Sequence, residues 1–337
     1  MIKKYFKRIL HKKSYNFDSS KPSVLIISSL KKNQNYYRDN EILRQCNGFR
    51  LAEDFNFDKY QWDIRKIIDK FYKLNFPEFI FLNYNHHFTY KIKNLEKTDI
   101  PVFAFVGDTY DFIMPDERSQ QKKTFIQRLN PVAYITAFPN TNEMLYEGIG
   151  DQTIKIITSH WAVDEKIFRP QNRWRRYDIG CLGAHTAHKY PFRNKVRRFL
   201  LSQNNLKFFK KERVYEHDGV KFSKALNRLK SCFTDASIYK FTLMKYFEIP
   251  ACGTLLFGEQ TEELKTLGFR DGVNFVEVNE DNFHEKFDYY IRGMGRKDLK
   301  AITYNGRDLI LKRHTWQIRV RELLTNIKEI LKSNVRT

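Results

Sequence analysis

Cysteine is scarce and scattered in this chain. Cys46, Cys181, Cys232 and Cys252 stand far apart, with no CxxC spacing and no Cys/His ligand pattern. Neither a disulfide framework nor a zinc site is indicated, and a reducing cytoplasm is the simplest home. Long apolar runs are missing as well: Val24 to Ile27 and Thr254 to Phe257 are strand-length, far short of a membrane span. The N-terminus lacks an apolar core, so no secretory signal is expected. Acidic residues are too few to balance the basic ones. Against 60 Lys and Arg stand 39 Asp and Glu, and the net charge of +21 favours anionic partners such as nucleotides, nucleic acid or acidic lipid head groups.

What is present suits two domains. A chain of 337 residues is too long for one ordinary core and fits two of about 150 each. Residues 1–20 carry Ile2, Tyr5, Phe6, Ile9 and Leu10 at helical spacing, with Lys3, Lys4, Lys7, Arg8, Lys12 and Lys13 on the other faces. Such a basic amphipathic segment suits an anionic membrane surface, docking on the protein itself, or a disordered tail, and the pattern leaves these open. From Pro22 the chain alternates strand-like and helix-like stretches. Strands are expected at 24–28, 78–82, 102–106, 133–137 and 154–157, with helices at 40–54, 116–129 and 140–146. Residues 160–176, HWAVDEKIFRPQNRWRR, break the rhythm and read as a linker.

A second alternation follows the linker. Strands are expected at 177–182, 206–209, 254–257 and 273–278, helices at 191–201 and 220–230, and a helical tail from Asp281. The expected class is α/β. Two Rossmann-like domains, 21–159 and 177–313, would face each other across a cleft at the carboxyl ends of their strands, and 314–337 would close the chain as a helix docked on the first domain.

Residues 238–258, SIYKFTLMKYFEIPACGTLLF, set one carboxylate, Glu248, inside an apolar helix-to-strand unit. Thr242 can cap a short helix that Pro250 and Gly253 end. Its start would offer unpaired N–H groups to a phosphate, with Lys245 adding charge, while Glu248 could accept hydrogen bonds from ribose hydroxyls. Spacing alone favours the plainer reading, a helix with one solvated Glu and one solvated Lys.

The stretch Lys245-Tyr246-Phe247-Glu248-Ile249-Pro250-Ala251-Cys252-Gly253 resembles the (K/R)-x-F-E-x-x-A-x-G signature of group 1 glycosyltransferases, in particular their bacterial branch related to spore-maturation proteins. Tyr177 to Gly183 resembles the strand that opens that family's C-terminal domain. Gly306, Arg307, His314, Thr315, Trp316 and Arg319 resemble its closing helix pair, and Trp161, Ala162, Val163, Asp164, Phe168 and Pro170 its linker. The resemblance spans residues 160–325. It implies the GT-B fold and a nucleotide-diphosphate sugar held mainly by the C-terminal domain.

By that resemblance Glu248 would contact the ribose. The Phe241–Leu243 turn with Thr242 and Lys245 would face the pyrophosphate, and Gly183, Ala184 and His185 would let the backbone approach the donor. Relatives of this fold usually need no metal or cofactor, and no DxD dyad stands in a loop here. Many retaining relatives carry a Glu eight positions before the ribose-binding one. Here that position is Lys240, which departs from the retaining pattern and could serve the phosphate instead.

A base for the acceptor hydroxyl would come from the N-terminal domain, at strand ends. Asp108, in the FVGDTYD turn with Asp111 nearby, is the first candidate; His86 and His87 follow, and His160 ends the last strand before the linker. Each has an ordinary structural counterpart, a helix cap for Asp and a core hydrogen bond for His. The expectation is a cytoplasmic glycosyltransferase of surface-glycan assembly, with a glycan, lipid-linked or protein acceptor and an anionic membrane as a further contact. Its rivals are a nucleic-acid-binding protein, for which no RNP, zinc-finger or helix-turn-helix pattern exists despite 19 Tyr and 29 Phe, and an inactive GT-B-like scaffold.

Overall fold

The computed structural model describes residues 18–31, 34–72, 76–83, 88–186, 188–210, 218–293 and 296–334. Within them the strands pair in parallel and form two sheets. The first contains β1 (Ser23–Ile27), β2 (Asn47–Leu51), β3 (Phe79–Asn83), β4 (Val102–Val106), β5 (Ala133–Thr136) and β6 (Ile156–Thr158), in the order β2-β1-β3-β4-β5-β6. The second contains β7 (Tyr177–Cys181), β8 (Phe208–Phe209), β9 (Leu229–Thr234), β10 (Leu255–Gly258) and β11 (Val276–Glu277), in the order β11-β10-β9-β7-β8.

The strand sequences explain this layout. SVLII, FIFLN and VFAFV are buried at every position, as central parallel strands covered by helices on both faces must be. In each sheet the first strand sits between the second and third, so the order reverses at β1/β3 and again at β7/β9. Crevices for ligands form at such reversals, beyond the carboxyl ends of the strands.

Two expected elements need correction. Residues 40–54 are not one helix: a helix at Gln34–Gln45 ends and the edge strand β2 follows. Gly48 allows that pairing, since a Cβ there would lie 1.9 Å from the carbonyl oxygen of Val24. The expected helix 220–230 stops at Leu226, where Asn227 turns its side-chain amide onto the carbonyls of Ser223 and Arg169 at 2.9 and 3.0 Å. The central strand β9 then begins at Leu229, and its mixed sequence LKSCFT concealed it. A helix at Ile64–Phe71, absent from the sequence reading, is capped by Asp63, which accepts from Arg65 N at 3.0 Å, and buries Ile64, Ile67 and Ile68.

The chain crosses between the sheets twice, side by side. Val163 N donates to His314 O at 3.1 Å and Trp316 N to Val163 O at 2.9 Å. After the second crossing the last helix, Trp316–Asn334, lies on the helix at Gln34–Gln45, where Gln45 Nε2 donates to Gln317 O at 3.1 Å. One apolar cluster therefore runs through both domains, joining Ile26, Phe105, Phe138 and Trp161 to Phe241, Phe247, Trp316 and Leu323. Each fully buried side chain of this size contributes roughly 1.5–3 kcal/mol, enough in sum to fix the two sheets against each other. The basic segment at residues 1–17, with His86 and His87, lies outside the described residues.

Candidate functional site

The second crevice begins at Gly183, just after β7. Its φ of +121° is open only to glycine, and a Cβ there would lie 2.8 Å from Lys245 Nζ and 3.1 Å from Arg193 Nη1. Two cations therefore converge on one stretch of bare backbone. Arg193 comes from the helix Pro191–Ser202 and is fully buried. Its Nη1 donates to Ala184 O at 2.8 Å, its backbone N donates to Asp235 Oδ2 at 3.0 Å, and its Nη2 pairs with Asp235 Oδ1. Asp235 follows β9, so the two strands flanking the reversal each contribute one partner.

Lys245 opens the helix Lys245–Ala251. Part of its surface stays open to solvent, yet the protein packed around its ammonium, then the Arg193 charge, lower its pKa to about 8, against the pull of Asp235 and Glu248. Glu248 lies on the same helix, one turn on, with 6% of its surface exposed. It is close enough to Tyr37 of the first domain to help push that phenol up to about 12, behind burial, Asp164 and Asp218.

Thr242 does not cap this helix. The cap position is Met244 and makes no side-chain cap bond, while Thr242 turns inward to Thr261 Oγ1 at 2.8 Å and to Glu263. The physical reason is burial: Thr242 is 1% exposed and its hydroxyl must find protein partners. Lys240 adopts a left-handed backbone and pairs with Glu259 on the exposed side of the loop. His185 is half-buried in the loop after Gly183, its carbonyl accepting from Asn194 Nδ2 at 3.3 Å.

Asp108 faces this crevice from the other domain. It starts the short turn Thr109–Phe112 without capping it, and instead accepts from Tyr110 OH at 3.2 Å. Its surface is open to the cleft, yet dense protein around it, then the Asp111 carboxylate, hold its pKa above the ordinary value. Asp111 itself is tied to Lys122. Lys189 Nζ, from the second domain, donates to Tyr110 OH at 2.8 Å, and Arg193 lies over the Tyr190 ring at 3.9 Å. Hydrogen bonds thus link Asp108, Tyr110 and Lys189, and Tyr190, next to Lys189 in the chain, meets Arg193, so the path continues by chain adjacency to Arg193 with Asp235, Lys245 and Gly183.

His160 sits behind this path. Burial, then Arg319, lower its pKa to about 4, and its Nδ1 stands 3.9 Å from Glu263 Oε2, beyond hydrogen-bond reach. His314 is 1% exposed. Arg319 Nη2 donates to its Nδ1 at 2.6 Å, so its Nε2 carries the proton and donates to Leu267 O at 2.9 Å. Both histidines belong to the joint between domains.

Residues 159–325 match the family model described as glycosyl transferase-like. That stretch, just under half of the chain, is similar to the family over its whole matched length. The whole chain has the GT-B glycosyltransferase fold and resembles the group 1 enzymes. Sucrose-phosphate synthase from Thermosynechococcus elongatus aligns with a TM-score of 0.60 at 10% identity, covering 93% of this chain and 100% of that one. A glycosyltransferase from Rickettsia africae aligns at 0.56 and 13% identity, covering 93% and 99%. Anabaena HepE, in complex with UDP and glucose, aligns at 0.57 and 9% identity, covering 91% and 99%. No curated protein matches the chain.

The glycosyltransferase-like half thus contains Glu248, Lys245, Gly183 and His185 around one crevice, with Lys240 at its outer edge and Thr242 packed beneath. Sequence reading missed Arg193, Asp235, Lys189 and Tyr190. Arg193 and Asp235 could have been found only by recognising β9, because Asp235 marks the carboxyl end of that strand.

Proposed function

We propose that this protein transfers a sugar from a nucleoside-diphosphate donor, held at the Gly183–Arg193–Lys245–Glu248 crevice, to an acceptor hydroxyl beside Asp108. The observation that carries the reading is the approach of Lys245 and Arg193 to the bare backbone of Gly183 at the β7/β9 reversal. A diphosphate suits this place because the Lys245 ammonium can meet it directly, while Arg193, fully buried and paired with Asp235, holds the Gly183–Ala184 backbone and adds its charge from beneath, in a crevice where charge counts for more than in water.

In the reaction the bond between the anomeric carbon and the diphosphate oxygen breaks, and the acceptor oxygen takes its place. Lys245 and Arg193 stabilise the charge gathering on the departing diphosphate without a metal or cofactor. Asp108, as carboxylate, takes the proton from the acceptor hydroxyl; its raised pKa makes it a better base than an ordinary Asp. Glu248 accepts from the ribose. The setting is surface-glycan assembly in the cytoplasm, with a glycan, a lipid-linked sugar or a protein as acceptor, and the basic surface suits an acceptor bearing phosphate or lying at an anionic membrane.

UDP is the first nucleotide to test, since HepE was in complex with UDP and glucose. Thermal shift against UDP, GDP, CMP and ADP, with short DNA and RNA alongside, should show stabilisation by one nucleoside diphosphate, lost in Glu248→Ala. Stabilisation by nucleic acid alone, abolished by salt, would replace the transferase with a nucleic-acid-binding protein.

A further inference from the structure

Trp174 is 82% exposed, far more than any other tryptophan in the chain. It stands on a stretch held rigidly to the second domain. Arg175 turns inward, where its Nη1 donates to Leu229 O at 2.6 Å and Thr254 Oγ1 at 2.7 Å, and its Nη2 to Cys252 O at 2.7 Å. In an extended chain neighbours alternate sides, so anchoring Arg175 turns Trp174 and Arg176 outward. These two, with Arg173 and Arg228, line a surface pocket of about 300 Å³.

The pocket is positive, and what surrounds it keeps it so. Arg228 is fixed over the rings of Tyr177 at 5.3 Å and Phe209 at 5.5 Å and donates to Tyr177 OH at 3.3 Å. Asp178, the carboxylate next in the chain, is already engaged by Lys230 Nζ at 2.7 Å and Lys207 N at 3.0 Å. The pocket lies at the amino ends of β7 and β9, opposite the crevice at their carboxyl ends, so it is separate from the site above.

We propose that this pocket is a second carbohydrate site that takes an anionic glycan, one bearing carboxylate, sulfate or phosphate groups. The indole face offers an apolar platform for the C–H face of a sugar ring, and the three guanidiniums meet its anions in forked pairs. Single-stranded nucleic acid is less well matched, because it asks for successive aromatic platforms and here there is one. The inference rests on the transferase reading only in naming the glycan as acceptor: a growing anionic polymer would be held on the far side of the domain while its end reaches the cleft.

The test uses full-length protein with size-defined heparin oligosaccharide as the anionic probe, a neutral maltooligosaccharide and single-stranded DNA as comparators, and tryptophan fluorescence as the first readout. Heparin should quench emission in the wild type and maltooligosaccharide should not; by isothermal titration calorimetry, which needs no reporter residue, Trp174→Ala and Arg173→Ser/Arg176→Ser should each bind heparin about tenfold more weakly at fixed salt. UDP thermal shift, measured on the same variants, should be unchanged, which separates this site from the crevice. Heparin binding that survives both variants, or DNA that binds more tightly than heparin and is lost with Trp174, would overturn the glycan site. Failure of UDP alone would overturn the transferase reading and leave this site standing.

Discussion

Tyr110 of the first domain stacks on Tyr239 of the second with ring centroids 4.6 Å apart and planes 3° from parallel. The same Tyr110 hydroxyl accepts from Lys189 and donates to Asp108, so the contact that joins the domains also sets the state of the proposed base. Removing the hydroxyl with Tyr110→Phe keeps the stack and deletes the bond that lowers the Asp108 pKa. The acid limb of the rate profile should move to higher pH, the rate below it should fall, the plateau above it should not, and UDP affinity should stay the same. An unchanged pH profile would remove Asp108 from the role of base.

Gly183→Ala tests the crevice directly. The new Cβ would press on Lys245 Nζ and Arg193 Nη1, and the left-handed backbone adds strain of about 1–2 kcal/mol. The Lys245 end can move aside, so the protein should fold with a modestly lower Tm. The nucleoside diphosphate should bind at least about tenfold more weakly by calorimetry, because the moved ammonium and the methyl group both occupy its place.

Much of this crevice could be read in the chain before any coordinates. Spacing alone did not single out Glu248 and Lys245; the resemblance of their stretch, and of the stretch ending in Gly183, to the group 1 signatures did, and the helix-to-strand unit around Glu248 folds locally. Thr242 was misread because a Thr before an apolar run looks like a cap, and nothing local shows that the tertiary partner Thr261 claims its hydroxyl. Arg193 and Asp235 were illegible for a related reason. They are 42 residues apart and meet only because β7 and β9 pair, a contact that no local pattern encodes.

Lys245 gives the opposite limb of the pH profile. With a pKa of about 8 its ammonium is charged at neutral pH and loses its proton as pH rises through that value. Above pH 7, where the diphosphate is fully ionised, its affinity should hold to about pH 8 and fall between pH 8 and 9 as Lys245 loses its charge. Lys245→Met should lose that limb and bind UDP more weakly by about 1.5–3 kcal/mol, the range of a charged hydrogen bond. Retention of the alkaline limb in the variant would assign it to another group.

Stability should depend on pH through the joint between domains. His314 has its pKa lowered to about 3 and His160 to about 4, in both cases first by burial and next by Arg319, whereas an unfolded chain titrates them near 6.5. Between those limits the unfolded state binds more protons than the folded one, so stability rises with pH there. The contribution of each is complete above pH 6.5 and shrinks as pH falls toward the folded value, by roughly 1.4 kcal/mol per unit per histidine at most. Urea unfolding should change little from pH 7.5 to 6.5 and show a steady loss from there down to pH 5. His314→Gln should flatten the slope by about one proton's worth while lowering stability at pH 7.5, because a glutamine cannot serve both Leu267 O and Arg319 in the same geometry. A slope unchanged in that variant would mean that the buried imidazole at this joint does not stay neutral as the fold takes up acid.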